Sequence, residues 1–266
     1  MTFSLNFKIY NTNMKKFIAY FDFLGFSDFI EKNDSAKQHK VMRNIYLAIE
    51  NALANWVSVK NHAGFYNPDI SKSTLSTLNF SDTVIFITQD DSMNSFLEIM
   101  KVAFEFNSYS IRLEFPVRGC IVYDEIFFTP FNQKNQAGGV YHLTSVYGKG
   151  LVKAHIIANS QDWAGTIVEK SAIDYVNALP TNTEIEPILE EFTKRYHVPF
   201  KNGDKKEEYV LRITKGDLDD MLIENLKKNI ANNFIQYNKS IEDSSVKQKL
   251  HNTLEFIESF RNEKKG

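Results

Sequence analysis

The chain has 266 residues, 43% of them hydrophobic, and a formal net charge of −2. This is long and apolar enough for a substantial core, and the near-neutral balance excludes a general electrostatic grip on nucleic acid or an anionic membrane. One cysteine, Cys120, excludes an intrachain disulfide, and six scattered histidines give no zinc spacing.

The N-terminal residues lack a basic region followed by an apolar one, and no apolar run approaches the length of a bilayer span. A cytoplasmic protein without membrane or nucleic-acid partners is expected. Residues 17–24 form an apolar run broken by Asp22, which predicts a buried strand ending in a carboxylate. Gly25 then permits a tight turn into a helix. A lone Asp among aromatics is costly to bury unless a cation or donor meets it, and a divalent metal carrying nucleotide phosphates fills that need. A helix N-cap is the other reading of Asp22.

Helical spacing of Val41, Ile45, Ile49, Ala52 and Leu53 predicts a long amphipathic helix over about 36–60. Residues 62–74 read as a loop. Strands are expected at 75–80 and 83–88 around Ser81-Asp82, followed by a helix near 91–108. Further strands are expected at 112–123 and 125–130, with Cys120 buried in the first. Residues 133–139 read as a polar loop, 148–160 as a helix and 165–168 as a strand. Residues 179–184 read as a turn, and 196–200 with 208–213 as a hairpin across Asn202-Gly203-Asp204. From 216 onward the sequence is helical and polar, most simply a solvated helical pair. The order is α+β, with a main domain over 14–170 and a C-terminal extension over 171–266.

Asp82 is the second carboxylate of interest. If strands 75–80 and 83–88 pair beside the first strand, Asp82 and Asp22 face each other. Two carboxylates at adjacent strand ends suit two-metal phosphoryl transfer. An ordinary turn aspartate is the other reading of Asp82.

Four segments together resemble the class III nucleotide cyclase family: Asp22-Phe-Leu-Gly25-Phe26-Ser27, Ser81-Asp82-Thr83-Val84-Ile85, Pro116-Val117-Arg118-Gly119-Cys120, and the helix led by Gly148. Their order matches over about 17–168. The resemblance implies a ferredoxin-like palm core, a mixed antiparallel sheet with flanking helices. It implies two Mg²⁺ or Mn²⁺ ions held by Asp22, Asp82 and the Phe23 carbonyl. Backbone N–H groups from Leu24 through Gly25 to Phe26 would cradle the β- and γ-phosphates, and Arg118 would steady the triphosphate or the transition state unless it is a structural ion pair. Lys149 and Lys153 become candidate phosphate contacts, and Tyr46 and Asn79 candidate base readers. Each also has a plain structural reading, solvent exposure for the lysines and interfacial packing for Tyr46. His155 reads as a structural histidine. The family's site lies between two catalytic domains, so a homodimer with interfacial sites is implied.

The departures from the family are specific. Leu78 stands where purine cyclases use Lys, and Ser145 where they use Asp. Val152 and Ile156 stand at the positions of the transition-state Asn and Arg. In keeping both aspartates while losing the purine readers, the chain is similar to the bacterial pyrimidine cyclases of the Pycsar anti-phage systems. That implies UTP or CTP as substrate, cyclic UMP or cyclic CMP as product, and a separate product-sensing effector protein. An inactive cyclase-like regulatory dimer and a palm-like transferase that joins nucleotides are the alternatives.

Overall fold

A computed structural model describes residues 15–61, 63–134, 140–180 and 184–261. In chain order the elements are β1 (Lys15–Phe23), α1 (Phe26–Lys32), α2 (Ser35–Leu53), β2 (Ser58–Lys60), β3 (Tyr66–Pro68), β4 (Ser76–Phe80), β5 (Thr83–Ile87) and α3 (Met93–Leu113). They continue with β6 (Val117–Glu125), β7 (Phe127–Lys134), β8 (Val140–Tyr147), α4 (Lys149–Ser160), β9 (Gly165–Val168) and α5 (Lys170–Asn177). The last are α6 (Glu186–Phe192), β10 (Thr193–Pro199), β11 (Lys205–Leu211), α7 (Asp220–Ile235) and α8 (Ser244–Glu258).

Seven strands form one sheet in the order β10-β11-β9-β6-β1-β5-β4, antiparallel throughout except for the β6–β9 pair. This is the mixed sheet with flanking helices that the α+β reading expects. The β10–β11 hairpin is continuous with the sheet through β11 on β9. β2–β3 and β7–β8 make two small separate ribbons.

β1 lies near the middle and is buried on both faces from Phe17 onward. Its side chains alternate between two helical layers. Phe17, Phe21 and Phe23 meet Phe96 and Phe106 of α3 and Phe115 beyond it, with ring centroids 4.9 to 6.2 Å apart. Ile18 and Tyr20 face α4. Asp22, two residues on, therefore falls on the α4 side. α4 comes close because Gly150, Ala154 and Ala158 form its buried stripe, and a Cβ at Gly150 would collide with Ile18. Cys120 is fully buried in β6, as expected, and its thiol donates to the Ala154 carbonyl at 3.2 Å.

Several boundaries differ from the sequence expectation. α2 stops at Leu53 instead of running to 60, because Asn55 and Trp56 turn left-handed with φ of 47° and 62°. α3 runs on to Leu113, burying Ile111, and ends only where Pro116 disfavours helix for the residue before it. The following strand thus starts at Val117 rather than 112. β7 reaches Lys134, so the expected 133–139 loop starts later, and residues 135–139 lie outside the described residues, as do 181–183 of the expected turn. The sequence reading missed β2, β3, β8, α5 and α6. The C-terminal helices do pack on the core: Ile223, Ile230, Phe234, Phe256 and Ile257 are buried. No helix among the described residues is long and apolar enough to cross a membrane.

Candidate active site

The β4–β5 hairpin pairs beside β1 with Asp22 opposite Thr83, so Asp82 comes alongside Phe23, the last residue of β1. The Phe23 N–H donates to the Asp82 carbonyl at 2.8 Å and locks the two segments together. Ser81 and Asp82 form the two-residue hairpin loop, with Ser81 left-handed at φ 54°. On the other side of β1, register places Arg118 directly opposite Asp22. Its Nε donates to Asp22 Oδ2 at 2.8 Å and its Nη2 lies 2.7 Å from the same oxygen. Arg118 Nη2 also donates to the side-chain carbonyl of Asn159, on α4.

Asp22 is 9% exposed. Burial pushes its carboxyl above the usual range, the Arg118 guanidinium pulls it back, and the Asp82 charge pushes it up again. The N-cap reading of Asp22 fails, since the N-cap of α1 is Gly25, in the left-handed region at φ 78°. Tyr20, on the same face, bonds through its hydroxyl to His155 Nδ1 at 3.0 Å and to Thr83 Oγ1 at 3.4 Å. His155 in turn contacts the Asn159 amide at 3.0 and 3.1 Å. It is thus hydrogen-bonded, as a structural histidine would be, yet it lines the same cleft as Asp22.

That cleft has a volume of 710 Å³ and runs from Asp22, Asp82 and Arg118 past the Gly25 turn to Lys201, Lys239 and Lys249. The structure brings Asp22, Phe23, Leu24, Gly25, Phe26, Asp82 and Arg118 together there. The Leu24 N–H is already donated to the Pro116 carbonyl at 2.9 Å. Tyr46, Asn79, Lys149 and Lys153 do not line this cleft. Tyr46 is half exposed on α2, and the Asn79 amide donates to the Thr83 carbonyl at 3.3 Å. Lys149 lies 3.2 Å from Glu125, and Lys153 2.8 Å from Glu169, on the outer face of α4 beside Val152 and Ile156. The sequence reading missed Tyr20, Thr83, Asn159 and the cleft lysines Lys32, Lys201, Lys239 and Lys249. The (i, i+4) pair His155–Asn159 is the signal that could have found the α4 contribution.

Among the described residues no three His, Cys, Asp or Glu side chains cluster as a self-sufficient metal site. Asp22 and Asp82 are two carboxylates of the hard oxygen-donor type that Mg²⁺ or Mn²⁺ prefers.

No family model matches the chain, and no curated protein matches it. Solved structures do resemble it. The guanylate cyclase domain of a rhodopsin–guanylyl cyclase from Catenaria anguillulae, in complex with GTP, is 8% identical, with a TM-score of 0.47 over 76% of this chain and 98% of that one. A dimeric guanylyl cyclase domain from the aquatic fungus Blastocladiella emersonii is 9% identical, with a TM-score of 0.47 over 74% of this chain and 94% of that one. A bacterial light-regulated adenylyl cyclase is 10% identical, with a TM-score of 0.39 over 82% of this chain and 57% of that one. These three solved structures are of adenylyl or guanylyl cyclases.

Proposed function

We propose that the chain is a nucleotide cyclase of the class III type, converting UTP or CTP to the 3′,5′-cyclic monophosphate and pyrophosphate. The observation that carries this reading is the pair Asp22 and Asp82, on paired backbone segments, opening on one cleft beside Arg118. Two Mg²⁺ or Mn²⁺ ions, held by Asp22, Asp82 and the Phe23 carbonyl, would supply charge neutralisation and a more acidic attacking hydroxyl.

The residues of this chain do the positioning. Arg118 keeps Asp22 oriented, and Asn159 keeps Arg118 oriented from α4. Gly25 and Phe26 offer backbone N–H groups to phosphate oxygens. The ribose 3′-oxygen bonds to the α-phosphorus, the bond to the pyrophosphate oxygen breaks, and the hydroxyl proton leaves to solvent. The base preference rests on Leu78 and Ser145, whose side chains cannot make the adenine contacts of purine cyclases. A homodimer is part of this reading. Val152 and Ile156 are each 59% exposed on the outer face of α4, where a second copy would cover them and meet Lys149 and Lys153. Tyr46 and Asn79 are retained as base readers only within such a dimer. In the cell, the cyclic product would signal to a separate effector in anti-phage defence.

The apolar Val152 and Ile156 favour a second reading, a cyclase-like dimer that binds nucleotide without turnover. Incubating the protein with Mn²⁺ and equimolar ATP, GTP, CTP and UTP, with products read by mass spectrometry, decides. A cyclic pyrimidine monophosphate is expected. Binding without product supports the second reading, and efficient cyclisation of ATP in that competition overturns the base assignment.

A further inference from the structure

Residues 236–243 join α7 to α8, and the cyclase reading above leaves them without a task. The stretch opens with two consecutive left-handed residues, Tyr237 at φ 61° and Asn238 at φ 62°. A bulky Tyr keeps that conformation only where its surroundings hold it there. The Tyr237 ring stacks on Phe115 and meets Phe29 edge-on. Its hydroxyl donates to Glu114 at 2.8 Å, and its carbonyl accepts from the Asn33 amide at 2.6 Å. The Asn238 amide donates to Asn33 Oδ1 at 3.0 Å. These partners belong to α1, which the Gly25 turn starts, and to the segment after α3 that leads into β6 and Arg118.

The next residue, Lys239, is thereby delivered to the back of the Gly25 turn. Its stem lies so close that a Cβ at Gly25 would meet its Cδ at 3.0 Å. It is buried, yet it lines the cleft with Gly25 and Phe26. The Asn233 carbonyl and the face of the Phe115 ring meet its ammonium. Asp28 of α1 acts on it, but that carboxylate already accepts from Lys32 at 2.7 Å and from the Ser240 N–H at 3.2 Å. Asp243 also lines the cleft and accepts the Ser245 N–H at 2.6 Å as the cap of α8. Glu114 is taken by Tyr237, and Lys37 stands over the Tyr237 ring. The cleft also holds Lys201, Lys249, Asp22, Asp82, Arg118 and His155. Burial outweighs Asp28 and pulls the Lys239 ammonium down to about 7. A phosphate at the turn would add a counter-charge on the side where the chain supplies only a carbonyl and a ring.

We propose that Lys239 is a positioning residue for the Gly25 turn that takes up a proton when a nucleoside triphosphate binds, so that the α7–α8 connection couples nucleotide affinity to pH. This rests on the nucleotide reading given above. The sign follows from burial. Above about pH 7 the nucleotide-free chain holds Lys239 mostly neutral, and a bound polyanion favours its charged form. Binding there draws a proton from solvent, and affinity falls as pH rises.

Calorimetric titration of a non-hydrolysable UTP analogue with Mg²⁺, at pH 6 and pH 8 in two buffers of different ionisation enthalpy, counts that proton. The wild type is expected to take up roughly one proton at pH 8 and about a tenth of one at pH 6. Lys239→Met is expected to lose that uptake. It is also expected to bind about tenfold more weakly than the wild type at pH 6, with the gap closing towards pH 9. Uptake contributed by His155 or Lys201 persists in the variant, so the difference between the two proteins is the measure. Lys170→Gln, an exposed lysine paired with Asp174 outside the cleft, is expected to match the wild type. Equal proton uptake by the wild type and Lys239→Met at pH 8, or an affinity gap that does not change with pH, overturns the assignment while leaving the nucleotide reading intact. A wild type that binds neither the UTP analogue nor its CTP counterpart overturns the nucleotide reading and the role of Lys239 with it. Thermal melting checks each fold. If Lys239→Met fails to fold, the wild type decides alone, and no more uptake at pH 8 than at pH 6 overturns the assignment.

Discussion

The two walls of the cleft are built on opposite terms. The first is acidic and made at strand ends: Asp22 and Asp82 are fixed by backbone pairing, and Arg118 is fixed by register opposite Asp22. The second is basic and made from a turn, an inter-helix segment and a helix that sit far along the chain. Strand register can set a side chain to within the tolerance that chemistry needs, because the pleat decides which face each residue takes. Flexible lysines on a turn and a helix suit a task that needs charge more than placement. Under the proposed cyclase reading, the strand-end wall is the one that would carry the reaction.

Changing the acidic wall has the largest expected effect. Asp22→Asn and Asp82→Asn are each predicted to cut turnover about a thousandfold, ~4 kcal/mol of transition-state stabilisation. Pyrophosphate release measures it, and either variant within tenfold of the wild type breaks the division between walls. Next comes the bridge between them. Arg118→Ala leaves Asp22 buried without its partner, so unfolding stability is expected to drop by about 3 kcal/mol. A urea midpoint within error of the wild type would show that the pair is not what holds Asp22.

The smallest effect belongs to Lys239, behind the Gly25 turn. It is 7% exposed, donates to the Asn233 carbonyl at 2.7 Å and lies 3.9 Å from the centre of the Phe115 ring. Burial pulls its pKa down to about 7, against a partial upward pull from Asp28. Between about 7 and the ordinary lysine value of 10.5, the folded chain then binds fewer protons at this site than the unfolded chain. Stability from this group therefore rises with pH across that window and is lowest below it. Lys239→Met, which cannot titrate, is expected to be stabilised relative to the wild type at pH 6 and to lose that advantage by pH 10. Parallel melting-temperature profiles for the two proteins would refute this.

Much of the acidic wall was legible in the sequence, and the physics explains why. Asp22 interrupts an apolar run, Asp82 sits between two short strands, and both signals are local. The β10–β11 hairpin was legible from Asn202-Gly203-Asp204 for the same reason. The basic wall was not legible, because Lys201, Lys239 and Lys249 look like any solvated lysines until the fold gathers them. Lys239 sits in the polar stretch Tyr237-Asn238-Lys239-Ser240, whose burial depends on Tyr237 stacking on Phe115, 5.8 Å between ring centres. α5, a helix of eight residues, was missed because so short a segment shows barely two turns of periodicity. α6, with seven residues, is shorter still.

Under the proposed function, Asp22 and Asp82 together hold the metal that comes with a nucleoside triphosphate. The most direct test is Mn²⁺ binding, followed by electron paramagnetic resonance, in the wild type and the Asp22→Asn/Asp82→Asn double variant with a non-hydrolysable UTP analogue present. Protein-bound Mn²⁺ is expected in the wild type, enhanced by the analogue, and none above free nucleotide in the double variant. Equal Mn²⁺ binding by the two proteins, both folded, would contradict it.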